Sequence, residues 1–148
     1  AAWIAALRGV GQSSARLAEV LFGRRLSAVD LNLGAAAGLA GAFVLGFWSG
    51  HSLLFAGVFS LVYGAATGLM TITRGTLPLV FFDPAAYGAL VGRLIVPSFL
   101  LSAAAPVVYA LAIERFGAEA AIVISVGLAF ATVAAALGLK RLSRGYSA

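Results

Sequence analysis

Long apolar runs without a charged side chain dominate the pattern of the chain. Four such runs cover residues 31–48, 52–73, 94–113 and 120–139. A helix that crosses the hydrocarbon core of a bilayer, roughly 30 Å thick, needs about 20 such residues at about 1.5 Å each. Because lipid offers no partners to backbone N–H and C=O groups, each run is predicted to be a transmembrane helix.

The opening segment is also apolar but carries one polar stripe. Arg8, Gln12, Arg16 and Glu19 fall within an arc of about 80° when each helical residue advances by about 100°. We therefore expect a fifth helix here. The fold class predicted is an all-α membrane protein with five transmembrane helices, in one partial transmembrane domain over 1–148. The expected helices cover residues 1–22, 29–48, 52–74, 88–113 and 119–140.

The connection after the third helix is the least determined part of this pattern. It is predicted to be long, near residues 74–92, and it contains Pro78, Asp83 and Pro84. The apolar stretch 77–82 is compatible with an extension of the third helix and with a segment lying at the membrane interface. The sequence leaves both possibilities open.

Basic residues collect on one side of the membrane if five helices alternate in direction. That side receives eight of them, listed as Arg16, Arg24, Arg25, Arg74, Arg93, Lys140, Arg141 and Arg144. The other side has Arg115 beside Glu114 and Glu119. Cytoplasmic loops are enriched in Lys and Arg, so we expect the basic side and the C-terminus to be cytoplasmic, in a bacterial inner membrane.

Composition narrows the classes of function. The chain is 62% hydrophobic and 10% charged, whereas soluble domains are about 45–50% apolar and about 25% charged. It has no cysteine and a single histidine, which excludes thiolate chemistry and a multi-histidine metal site within this chain. We expect no cofactor. Because its basic residues flank apolar spans, the net charge of +5 indicates membrane orientation rather than nucleic-acid binding.

The polar stripe of the first helix is the leading candidate for a substrate or coupling pathway. Charges inside a span usually face the bundle interior or a water-filled cavity. Arg8 is compatible with contact to an anionic substrate or to an acid elsewhere, with Gln12 beside it, and also with a side chain that reaches the outer surface. Arg16 and Glu19 are compatible with a coupling role or with a structural ion pair.

Two further groups of polar residues are candidates on the other helices. Thr67 and Thr71 share a face and are compatible with lining a pathway or with bonding to their own helix. A cytoplasmic gate or interfacial anchor is expected from Arg24, Arg25, Arg74, Asp83 and Arg93. Weaker cavity candidates are Asn32, Ser98, Ser102, Tyr109 and Ser125.

Two stretches of this sequence resemble the major facilitator superfamily. Gly23-Arg24-Arg25, after the helix that ends with Arg16 and Glu19, resembles the loop after the second helix of each half. The region from Tyr63-Gly64 through Thr71–Pro78 to Gly92-Arg93 is similar to the tenth helix, cytoplasmic loop and eleventh helix of bacterial members. The resemblance implies a fragment of a twelve-helix fold, helices eight to twelve, with the upstream half of the same chain as its partner.

That resemblance and the spans together predict a secondary active transporter, a permease or efflux carrier, of a small organic solute. We expect alternating access and proton coupling, with membrane lipid around the helices. One alternative is a non-transporting membrane subunit or scaffold that assembles through glycine-rich helix faces. No Ser/His/Asp set, carboxylate pair or phosphate-binding glycine loop is visible, so we do not expect an enzyme. We expect further chain upstream of Ala1, and a membrane enzyme would need its catalytic groups there.

Overall fold

Five α-helices make up the computed structural model, which describes residues 2–23 and 26–146. They are α1 (Ala2–Phe22), α2 (Ala28–Gly46), α3 (Leu53–Phe81), α4 (Tyr87–Phe116) and α5 (Ala118–Tyr146). A short 3-10 turn, Pro84–Ala86, precedes α4. The described part of the chain holds no β-strand, so the predicted all-α class is confirmed.

Four of these helices, α2 to α5, are long and apolar enough to cross a membrane. The chain is therefore an integral membrane protein. Helix α1 is not among the four, because Arg8, Arg16 and Glu19 lower its hydropathy. That α1 also spans the membrane stays a prediction, which its packing against α3 supports.

The connection predicted near 74–92 is shorter than expected, because most of the stretch 77–82 extends the third helix, which is one of the two possibilities that the sequence leaves open. Helix α3 runs through Pro78 to Phe81, and α4 begins at Tyr87. Proline lacks a backbone N–H and interrupts helices, but Pro78 lies in the last turn, and its carbonyl still accepts from Phe82 N at 3.0 Å. Arg74 and Arg93 lie within α3 and α4, in agreement with the expected helices 52–74 and 88–113. Helix α5 continues past the expected residue 140.

Side-chain caps and one glycine fix the helix ends. Ser27 accepts a hydrogen bond from Asp30 N at 3.1 Å, and Ser52 accepts one from Leu54 N at 3.2 Å. Such caps satisfy N–H groups that have no partner in the first turn. Between α4 and α5 stands Gly117, with φ of 84°, a backbone conformation that glycine adopts without steric cost.

Helices α1 and α3 run parallel with their backbones in contact. A Cβ built on Gly64 would overlap the carbonyl of Arg8, and one on Gly11 would overlap the carbonyl of Leu61. At Gly68 it would lie 2.8 Å from the carbonyl oxygen of Gln12. Small residues permit such close approach between helices in lipid. Gly64 and Gly68 serve this close packing, whereas Gly34, Gly41, Gly88 and Gly92 have open space around them.

Helix α2 packs antiparallel to both α3 and α5. Thr73, which is 1% exposed, donates to Asn32 Oδ1 at 3.2 Å, joining α3 to α2. Lys140 Nζ lies 2.7 Å from Asp30 Oδ1, joining α5 to α2. These contacts bring together the ends of the helices that carry the basic residues predicted to share one side. We call this the basic end of the bundle, defined by Arg74, Arg93, Lys140, Arg141 and Arg144.

Helix α4 is the least packed element. None of its residues is buried, although Tyr109 contacts α5 and the Tyr87 hydroxyl donates to the carbonyl of Gly75 on α3 at 3.1 Å. The better-buried core lies where α2 meets α3 and α5, at small residues such as Ala36, Ala42 and Ala136.

Candidate functional site

A cavity of about 370 Å³ lies between α2, α3, α4 and α5. One wall is a stripe along α3, formed by Tyr63, Thr67, Met70, Thr71 and Arg74. These residues stand at positions i, i+4, i+7, i+8 and i+11, which fall on one face of an α-helix. The stripe runs from the middle of α3 toward the basic end and finishes at the guanidinium of Arg74.

The facing wall combines hydroxyl groups with apolar side chains. The Tyr109 and Ser125 hydroxyls lie 2.7 Å apart, joining α4 to α5. Because the Ser125 hydroxyl also lies 2.7 Å from the carbonyl of Ala121, to which it donates, Tyr109 acts as the donor in the pair. Thr132, two turns after Ser125, continues this face. The apolar part of the wall is formed by Leu39, Phe43, Leu128 and Ala129.

Thr67 and Thr71 lie in the cavity wall, as the pathway interpretation requires, and they also bond to their own helix. The Thr67 hydroxyl donates to the carbonyl of Tyr63 at 2.8 Å, and that of Thr71 donates to the carbonyl of Thr67 at 2.8 Å. Bonding to their own helix therefore occurs together with a place in the cavity wall, and the use of this cavity as a pathway stays a prediction. Their oxygens keep lone pairs for a ligand, and a hydroxyl can rotate to donate to a better acceptor.

Arg8 contacts the wall of the cavity without lining it. Its guanidinium carbon lies 5.0 Å from the centre of the Tyr63 ring, within the range of a cation–π interaction. Tyr63 is also stacked on Phe59, with ring centres 5.7 Å apart, and meets Phe43 edge-on at 5.6 Å. Arg8 thus packs against a ring that lines the cavity.

The rest of the polar stripe on α1 lies away from the cavity. The backbone of Gln12 forms part of the contact with Gly68. Arg16 is exposed, and Glu19 folds toward Gly23, whose built Cβ would be 2.9 Å from Oε1. Arg16 and Glu19 do not form the structural ion pair that their spacing allows; within 2–23 and 26–146 the ion pair present is Asp30–Lys140.

Of the five predicted gate or anchor residues the structure describes three, and these three lie on different elements. Arg24 and Arg25 lie outside the described residues. Asp83 caps the 3-10 turn by accepting from Ala85 N at 3.0 Å, and Arg93 is exposed on α4. Arg74 is the member that joins the cavity. No ion pair links Asp83 to Arg74 or Arg93 in the described part of the chain.

Of the weaker cavity candidates, Tyr109 and Ser125 belong to the site, Asn32 bonds to Thr73, and Ser98 and Ser102 are exposed on α4. Sequence reasoning missed Thr132, although its spacing of seven from Ser125 places both on one helix face. It also missed the Asp30–Lys140 pair. The predicted topology places Asp30 and Lys140 on the same side of the membrane, and this could have suggested the pair.

Chemically, the site offers aromatic and aliphatic surface, several hydroxyls and one guanidinium. Such a mixture suits the binding of a small amphiphilic solute, and its volume falls within the roughly 300–1,000 Å³ usual for ligand pockets. Comparison with family models, with curated proteins and with solved structures finds no match to this chain.

Proposed function

We propose that this chain forms part of a secondary active transporter that moves a small organic solute across the membrane by alternating access. The observation that carries the proposal is the open cavity of about 370 Å³ lined by residues of four membrane-spanning helices. A wall of hydroxyl, aromatic and guanidinium groups among apolar spans supports a solute pathway, because polar groups are costly in lipid unless they serve a site or pair with one another.

The depth of the cavity supports the same function. Thr67 and Thr132 lie on facing walls of the cavity. Each is at or close to the middle of its helix, Thr67 in α3 (Leu53–Phe81) and Thr132 in α5 (Ala118–Tyr146). Secondary transporters place their substrate sites near the midplane of the bilayer, between helices that rearrange. A cavity at half the length of two spans fits that position.

Helix α4 has the features of an element that moves. It buries none of its residues and contains Pro97 and Pro106, each of which removes a backbone hydrogen bond and permits a bend. Elements that move during function are drawn from the weakly packed parts of a protein. Displacement of α4 would open one side of the cavity while the α2–α3–α5 core stays packed.

The sequence resemblance supplies the finer proposal. Under it, the five helices correspond to helices eight to twelve of a major facilitator transporter, with the upstream half completing the site. The basic end would face the cytoplasm of a bacterial cell, by positive-inside bias. Coupling to a proton gradient is proposed with it.

The test uses the protein at its native length in proteoliposomes that contain a trapped pH dye. Pools of organic anions, cations and neutral solutes are added in turn, and solute-dependent proton flux is recorded. Leu128→Trp fills the cavity from α5, whereas Phe130→Trp is its control, since Leu128 and Phe130 are 58% and 55% exposed but only Leu128 lines the cavity.

Flux in the wild type that Leu128→Trp abolishes and Phe130→Trp preserves would support transport through this cavity. Equal flux in both variants would show that the solute does not pass through this cavity. No flux with any pool, from monodisperse protein, would contradict the proposal and favour a non-transporting subunit.

A further inference from the structure

We propose that the cavity takes a small organic anion with an apolar body, and that Arg74 binds its carboxylate or phosphate group. This proposal rests on the transport function above and adds a substrate class and a binding residue to it. The candidate that the sequence favours for anion contact is Arg8; the structure turns that side chain toward the Tyr63 ring and puts Arg74 in the cavity wall instead.

Arg74 is placed to bind a ligand because its guanidinium has no partner among the described residues. It forms neither an ion pair nor a hydrogen bond with them, and it is exposed at the edge of the cavity. A guanidinium presents a planar fork of N–H donors that matches a carboxylate or phosphate in two parallel hydrogen bonds. An unpaired charge beside apolar spans is costly, and binding of an anion that neutralises it lowers that cost.

The charges around Arg74 leave the cavity positive. The part of its lining that the structure describes contains no Asp or Glu. Three carboxylates lie toward the same end, and in the described part of the chain none forms an ion pair with Arg74. Asp30 pairs with Lys140 at 2.7 Å, Asp83 accepts from Ala85 N at 3.0 Å, and Glu19 lies on α1 and does not line the cavity. An incoming anion therefore meets an uncompensated cation, whereas an organic cation meets repulsion without a counter-charge.

The remaining wall determines the shape of the rest of the molecule. From Arg74 to Tyr63 the stripe advances by eleven positions, about 16 Å along the helix. Met70, Leu128 and the Tyr63 ring supply apolar surface along it. The Thr67 and Thr71 hydroxyls supply acceptors for a polar substituent. A benzoate-sized or somewhat longer acid, with its charge at Arg74 and its body toward Tyr63, fits this arrangement.

The test measures binding rather than transport. Isothermal titration of the native-length protein in neutral detergent compares benzoate and phenyl phosphate with benzyl alcohol and benzylamine, which keep the ring and change the charge. In the wild type the anions are expected to bind at least tenfold more tightly than the alcohol, as hydrogen bonds to a charged group allow. Arg74→Gln is expected to abolish that preference, and Arg74→Lys to restore part of it.

The control variant is Arg141→Gln, which removes one positive charge at the basic end from an exposed residue that does not line the cavity. It is expected to keep the anion preference. Titration with added phosphatidylglycerol separates a soluble anion from a lipid headgroup: unchanged benzoate affinity supports the proposal, and displacement of benzoate overturns it in favour of lipid.

Absence of anion preference in the wild type, or its survival in Arg74→Gln, would overturn the proposal. Either result could coexist with flux of a neutral or cationic solute, so the transport function would stand. Conversely, Arg74-dependent anion binding without flux of any solute would support the binding site and contradict the transport function.

Discussion

The guanidinium of Arg8 on α1 lies 5.0 Å from the centre of the Tyr63 ring on α3. The charge for which an anionic partner is one of the predicted possibilities is therefore set against the negative face of an aromatic ring. Such contacts are strengthened where little water competes for the cation. Because Tyr63 also lines the cavity, this contact couples the packing of α1 to the shape of the site.

Replacement of Tyr63 is expected to reveal that contact. Tyr63→Phe keeps the ring and should retain most of the interaction with Arg8, whereas Tyr63→Leu removes it. A double-mutant cycle of Tyr63→Leu with Arg8→Met, measured on unfolding in detergent, is expected to give a coupling of about 0.5–2 kcal/mol. A coupling near zero would show that the two side chains do not interact.

Because α1 and α3 are in close contact, adding one methyl group at Gly64 is expected to destabilise the protein. Gly64→Ala would drive a Cβ into the carbonyl of Arg8, which is backbone and cannot rotate away. We expect the free energy of unfolding to fall by about 1–3 kcal/mol, the usual cost of overpacking. Thermal unfolding in detergent measures this change. Gly41→Ala is the matched control, since nothing lies within 4 Å of its built Cβ; equal effects of the two changes would refute the close approach.

The ion pair between Asp30 and Lys140 predicts a modest effect on stability. Their side chains are 43% and 31% exposed, so water and salt screen the pair. Lys140→Gln is expected to lower the melting temperature by a few degrees at most, on the order expected for exposed pairs, and Lys140→Arg to preserve it. The effect should shrink as salt is added. A loss as large at high salt as at low salt would point to packing of the lysine stem instead.

Orientation of the helices is testable by labelling single cysteines placed in this stretch of chain, which has none of its own. Gly50→Cys lies in the turn after α2, and Ala85→Cys lies in the 3-10 turn between α3 and α4; both positions are exposed. An impermeant maleimide on intact cells is expected to label Gly50→Cys and to spare Ala85→Cys until the cells are opened. The reverse pattern would place the basic end outside the cell.

The sequence by itself determined the helices and their alternation. Charge-free runs of about 20 residues leave a backbone in lipid no alternative to helix. Their order and short connections then put Asp30, Arg74 and Lys140 toward one side. Boundaries were less secure, because the hydrophobic signal stops at Arg74 while the α3 backbone continues to Phe81: an arginine ends an apolar run without ending a helix.

Only the tertiary structure decided which helix faces meet. Lipid is as apolar as the spans, so burial of apolar side chains does not fix the rotation of a helix as it does in water; close packing and a few polar contacts fix it instead. Gly64 against Arg8, Thr73 with Asn32, and Tyr109 with Ser125 are contacts of that kind. They turn Arg8 toward an aromatic ring and bring Thr67, Thr71 and Arg74 together in one wall, because contacts between distant helices depend on rotations that local sequence does not encode.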